Sequence, residues 1–222
     1  MFRKFAIRAL AALRGAPKGA ANHLDAIARH ADAVLGPSKQ HLHERYSPDP
    51  HIDLIHYAPT AHRDFHYLLT SGMSGHPMTN DGIAISDPLM ELTLALPAHW
   101  DISAEGFKDP KTFQPVKLLK QLARYPFTNK TYFEKYRTVT IGDRPLLSPM
   151  QAVMLMPPVL VPEFREPLNL PNGTHIQFMA LYLIHQDELD LKLEGQLEKL
   201  FERFGETEMT ELYDLARPSV CG

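Results

Sequence analysis

The chain has 222 residues, 44% of them hydrophobic and 22% charged, with a formal net charge of -3. That length builds one large domain, or a domain plus a tail, and buries a full core without staples. The mild acidity excludes the basic stripe of a nucleic-acid binder. The single cysteine, Cys221, excludes an internal disulfide and a cysteine-based zinc site.

Residues 1–21 form a basic amphipathic segment, with Arg3, Lys4, Arg8 and Arg14 set among Phe2, Phe5, Ile7, Leu10 and Leu13. Arg8 interrupts any secretory h-region, and the alternatives are a docked helix, a frayed end, or a membrane-surface or transit segment. No run approaches the ~18 apolar residues that cross a bilayer, so the chain reads as soluble, cytoplasmic and not integral to a membrane. The domain itself is expected over 22–222.

Asn22 is a good N-cap for a helix whose inner face is Leu24, Ile27, Ala28, Ala31 and Val34 or Leu35, and Gly36-Pro37 stops it. Ser38–Pro50 reads as a polar, partly extended connector. Ile52–Tyr57 and Phe65–Thr70 are short strands. Leu89–Leu96 has the clearest period of two: Met90, Leu92, Leu94 and Leu96 face one way, Glu91 and Thr93 the other. Pro115 at the first helical position opens a helix that Tyr125-Pro126 closes, with Val116, Leu119, Leu122 and Ala123 inward and Lys120 outward. Arg137–Ile141 and Val153–Met156 are strands on either side of a Gly142–Pro145 turn region.

Leu168–Leu170 and His175–Leu183 flank Pro171-Asn172-Gly173, a strong hairpin signal. Asp187–Phe204 is expected as one helix capped by Asp187. Its stripe is Leu189, Leu193, Leu197, Leu200, Phe201 and Phe204, and Gly205 ends it. Met209–Ala216 adds a last helical turn or two. Grouped strands with interspersed helices give an α+β fold, with a mixed or antiparallel sheet flanked by helices.

Three patterns bear on chemistry. Gly72-Met73-Ser74-Gly75 approaches a nucleophile elbow, but G-x-S-x-G requires a glycine where His76 stands, so the segment reads as a tight turn. His41, His43, His51, His56, His62 and His66, with Asp53 or Asp64, supply metal-ligand types without a helical H-E-x-x-H pair. A metal-dependent hydrolase built on residues 38–76 is therefore the alternative function. Met73, Met78, Met90, Met154 and Met156 read as core filler.

Several stretches resemble, in order, the suppressor-of-fused (SUFU) domain family. Leu69-Thr70-Ser71-Gly72-Met73-Ser74 is similar to the strand that ends in a T-x-G-[ML]-S turn, and Glu91-Leu92-Thr93-Leu94 to the strand that follows. Leu122-Ala123-Arg124-Tyr125 resembles an L-A-R-Y helix end. Asp187-Glu188-Leu189 with Gly195, and Arg217-Pro218-Ser219-Val220, resemble the two closing motifs. The resemblance implies a non-enzymatic α+β binding domain without a cofactor; animal members grip an extended peptide between two domains, and this chain has the length of one. Bacterial members resemble immunity proteins that neutralise a cognate toxin, so the expected partner is a protein or extended peptide, a toxin domain included. The expected contact residues are Tyr67, Gly72, Met73, Ser74, Glu91 and Thr93 on the sheet, with acidic Asp187 and Glu188 as a second patch. On that expectation, Glu91→Lys weakens partner capture and leaves the thermal midpoint nearly unchanged.

Overall fold

The computed structural model describes residues 23–43, 49–141 and 145–222. The basic segment 1–21, the Asn22 cap and most of the Gly142–Pro145 turn lie outside the described residues.

Ten strands and four α-helices are described. In chain order they are α1 (Leu24–Leu35), β1 (Gln40–Leu42), β2 (Asp53–Tyr57), β3 (Phe65–Ser71), β4 (Thr79–Asn80), β5 (Ile83–Ala84) and β6 (Met90–Pro97). Then come α2 (Pro110–Thr128), β7 (Thr138–Thr140), β8 (Ala152–Met156), β9 (Leu168–Asn169), β10 (His175–Ile184), α3 (Gln186–Leu193) and α4 (Leu197–Glu206). The main sheet runs β1-β2-β3-β6-β10-β8-β7, with β9 hairpinned onto the start of β10. Its one parallel ladder joins β6 to β10, Met90 opposite Gln177 and Thr93 opposite Ala180. The sheet is thus mixed, and β4 and β5 form a separate hairpin.

Both faces of the sheet are covered. On one face Met90, Leu92, Leu94 and Leu96 of β6 join Met179, Leu181 and Leu183 of β10 beneath Val116, Leu119, Leu122 and Ala123 of α2. On the other, α1 places Ile27, Ala31 and Leu35 over Ile55, Tyr57, Tyr67 and Leu69. Beside it, Leu189, Leu200 and Phe204 of α3 and α4 cover Met154, Tyr182 and Ile184. A strand buried on both faces can still alternate if one face is lined with paired polar groups, and β6 is such a strand.

Two helical boundaries differ from expectation. α2 begins at Pro110, where the Asp109 carboxylate accepts the Lys111 N–H, so Pro115 lies inside the helix and Pro126 within its last turn. An interior proline costs about 3 kcal/mol. Burying the apolar stripe of this helix offsets that cost, because helix stability in a folded protein comes mainly from packing. Lys120 is buried, not outward, and its ammonium donates to the Leu42 carbonyl.

The long 187–204 helix is in fact two helices. Gly195 adopts φ +80°, a left-handed conformation that stops α3, and His185, not Asp187, is its N-cap. Leu193, the last residue of α3 before the break, is 69% exposed. α4 continues one residue past Gly205, to Glu206. Residues 209–216 form no helix. This segment runs extended instead, with Leu212 bridged in parallel to Ala95 and the Tyr213 N–H donating to the Ala95 carbonyl.

Candidate functional site

At the end of β3 the chain turns through Gly72 into a single 3-10 turn, Met73–Gly75. Gly72 has φ +124°, and a Cβ there would lie 2.1 Å from the His51 carbonyl oxygen, so only glycine fits. The turn is tied down by Glu91 from the neighbouring strand. One carboxylate oxygen accepts the Gly72 N–H at 3.1 Å, the Ser74 N–H at 3.0 Å and the Ser74 hydroxyl at 2.7 Å; the other accepts the Thr70 hydroxyl at 2.5 Å. Thr70 Oγ1 in turn accepts the Leu92 N–H.

Glu91 is fully buried, and burial pushes its carboxyl up to about 7 against the opposing pull of the Thr70, Ser74 and Gly72 bonds. The motif glutamate and the motif turn are therefore two halves of one interior lock. This corrects the expectation of a polar, partner-facing strand. Glu91 and Thr93 are fully buried, as are Tyr67 and Met73, and Ser74 is 1% exposed. The Tyr67 hydroxyl donates to Thr93 Oγ1 at 3.0 Å. Glu91→Lys would place an ammonium among four donors, so it breaks the fold and does not test a contact.

A second lock joins the other pair of motifs. Glu188 is fully buried at the start of α3 and accepts both terminal nitrogens of Arg217, the Val220 N–H and the His185 N–H. Burial alone pushes its carboxyl up, but the Arg217 and backbone bonds together hold it below the ordinary range. Asp187 is exposed and accepts the Ser219 hydroxyl at 2.7 Å. Glu188 is thus withdrawn from the expected acidic patch, while Asp187 stays on the surface, as do Asp190 and Glu194.

A third buried carboxylate went unread in the sequence. Glu211 receives the Val159 and Leu160 N–H groups and the Tyr182 hydroxyl, and burial raises its carboxyl.

Ser74 also lies 3.3 Å from His23 Nδ1. A hydrolytic triad needs the imidazole between serine and acid. Here Glu91 holds the serine directly and the serine is buried, so the arrangement is that of a structural turn.

The histidines pair off. His43 Nδ1 and His51 Nε2 meet separate oxygens of Asp53 at 2.7 and 3.0 Å. His56 Nε2 meets His66 Nδ1 at 2.9 Å, and His66 Nε2 meets the Ala98 carbonyl at 3.1 Å. Among the described residues no three histidine, cysteine, aspartate or glutamate side chains gather as a metal site.

What the surface does offer lies elsewhere. Between α4 and the 157–165 loop a cavity of about 710 Å³ is lined by Tyr136, Met156, Tyr182, Phe201, Phe204 and Met209, with Lys135, Arg165 and Glu208 among its ionisable residues. A smaller cavity of about 240 Å³ adjoins it, sharing Met209 and Thr210 and reaching Leu212. The sequence carried one signal for this furrow. Phe201 and Phe204 repeat at helical spacing, yet Met209 follows the helix stop where no helical face remains.

A mixed sheet clasped between α2 on one side and α1, α3 and α4 on the other, with motif carboxylates locking a turn and a C-terminal segment, defines a class of α+β domain. The profile of the family described as Suppressor of fused protein (SUFU) matches residues 48–218, and the chain belongs to that family.

Solved structures agree in fold. A SUFU homolog from Neisseria gonorrhoeae FA 1090 superposes with a TM-score of 0.64 at 18% identity, covering 88% of this chain and 95% of that one. A chain of the Sufu-Fu complex gives 0.62 at 14% identity, covering 90% and 93%. Drosophila Suppressor of Fused gives 0.51 at 18% identity, over 79% of this chain and 44% of that one. No curated protein matches the sequence.

Proposed function

We propose that this chain is a non-enzymatic protein-binding domain, spanning 22–222, which captures a partner protein in the cytoplasm. The partner we favour is a toxin domain, neutralised in the manner of an immunity protein. Family membership over residues 48–218 carries the reading, supported by a structural neighbour that was solved as a Sufu-Fu complex. The interior is consistent with it. Ser74, which stands where a nucleophile elbow would place its serine, is buried and bonded to Glu91.

The test is co-expression with the product of the adjacent gene. Restored growth of a host arrested by that product, together with a co-eluting complex, is the expected result. Unrelieved arrest without a complex would overturn the immunity reading. Binding without any effect on growth would keep the capture role and remove the toxin.

A further inference from the structure

We propose that the furrow between α4 and the 157–165 loop docks a segment of a partner protein that carries a bulky apolar side chain flanked by acidic residues; this rests on the protein-binding reading above. Three observations point there. The floor and walls are aromatic and methionine side chains, the residue types enriched at protein interfaces, and methionine adapts its shape to a guest. The two adjoining cavities share Met209 and Thr210, which extends the furrow lengthwise as a chain segment requires. Val159 and Leu212, 44% and 37% exposed, sit on its two cavities and add exposed apolar surface to the furrow.

Charge selects the flanks. Lys135 and Arg165 are exposed residues of the larger cavity. The Lys135 ammonium lies 5.0 Å over the Tyr136 ring, and Arg165 Nε donates to the Pro158 carbonyl. Neither cation has a carboxylate partner among the described residues; Glu208 is the one acid on the larger cavity's lining, and Asp214 lines the smaller beside Arg217. The cationic excess favours an acidic guest and disfavours the chain's own 1–21 segment, which carries five basic residues and no acid.

The full chain, labelled with ¹³C-methyl methionine and assigned through Met156→Leu and Met209→Leu, is titrated with a short peptide bearing a tryptophan–leucine pair between glutamates. A lysine-flanked version is titrated in parallel. The expected result is shifts confined to Met156 and Met209, with the acidic peptide binding at least about tenfold tighter, a difference near 1.4 kcal/mol. Its advantage should shrink as salt is raised.

The double variant Lys135→Glu/Arg165→Glu, checked for an unchanged melting curve, should reverse the preference. Equal binding of both peptides, no shift at either methionine, or shifts produced by dilution of the free chain (a second copy as occupant) would each overturn the proposal. The two readings fail separately. Toxin neutralisation that survives the double variant removes the furrow and leaves the function, whereas peptide binding without any effect on the adjacent gene product does the reverse.

Discussion

Arg217 reaches back across the fold to Glu188, donating Nη1 to one carboxylate oxygen at 2.7 Å and Nη2 to the other. A second bond from Nη2 runs to the Leu183 carbonyl at 2.7 Å, so one guanidinium fastens the C-terminal segment to both β10 and α3. Arg217→Ala strands a buried carboxylate and should cost ~3–5 kcal/mol, read as a lower urea midpoint at constant m. Arg217→Lys keeps the charge but loses the fork, and should fall between the two. If Arg217→Ala melted like the parent, the lock would be ornamental.

The Glu91 lock makes a pH prediction of defined sign. Its folded-state carboxyl, near 7, lies above the ordinary 4.5, so the folded chain binds the proton more tightly than the unfolded one. Its stabilising contribution is therefore complete below about pH 4.5 and lost as pH rises through 7, on the order of 3 kcal/mol at most. Glu91→Gln mimics the protonated form and should flatten this slope, matching or exceeding the parent at about pH 8. Urea titrations at about pH 5 and about pH 8 read it directly. An unchanged slope in Glu91→Gln would assign the pH dependence to another group.

His56 gives the opposite slope. Burial, and then the neighbouring His66, Lys39 and Arg63 charges, lower it to about 4. A folded value below the unfolded 6.5 means that its contribution is present above 6.5 and is lost as pH falls toward 4. His56→Phe should remove that acid loss. At neutral pH it should cost ~1–2 kcal/mol, since the Gln40 amide and His66 Nδ1 each lose a partner. The cleanest measurement is in a Glu91→Gln background, where the competing slope is absent.

Two glycine substitutions should move in opposite directions. Gly72→Ala drives a methyl into the His51 carbonyl at 2.1 Å, in a left-handed conformation, and should destabilise by ~3 kcal/mol or more. Gly205→Ala, inside α4 with open space around the added methyl, should stabilise by ~0.5–1 kcal/mol. Thermal melts of the pair decide it, and a stable Gly72→Ala would mean the turn relaxes.

Most of the fold was legible where one periodicity ruled a segment. The alternation of Met90–Leu96, the Asn172-Gly173 hairpin and the Ile27/Ala31/Leu35 stripe all appear at the expected places. Reading failed where long-range packing overrode local punctuation. Pro115 and Pro126 look like helix ends because the sequence does not display the sheet that α2 covers. The candidate site was misread for a related reason. A polar residue alternating with leucine looks solvated, and only the partner turn, some twenty residues away, reveals Glu91 as an interior acceptor. The furrow depends on segments near residues 136, 156, 165 and 205 meeting in space, which no local pattern announces.

The sheet order has a consequence for synthesis. β6 is completed at Pro97, but its other neighbour, β10, begins only at His175, and the Leu212–Tyr213 segment that sits beside Ala95 comes later still. Residues 98–174 must therefore be translated while the future centre of the sheet is a bare edge. At ~5–20 residues per second this leaves the nascent chain exposed for roughly 4–15 s. An apolar strand open for that long is a natural client for a ribosome-associated chaperone, and slow codons within 98–174 should lower the yield of folded protein.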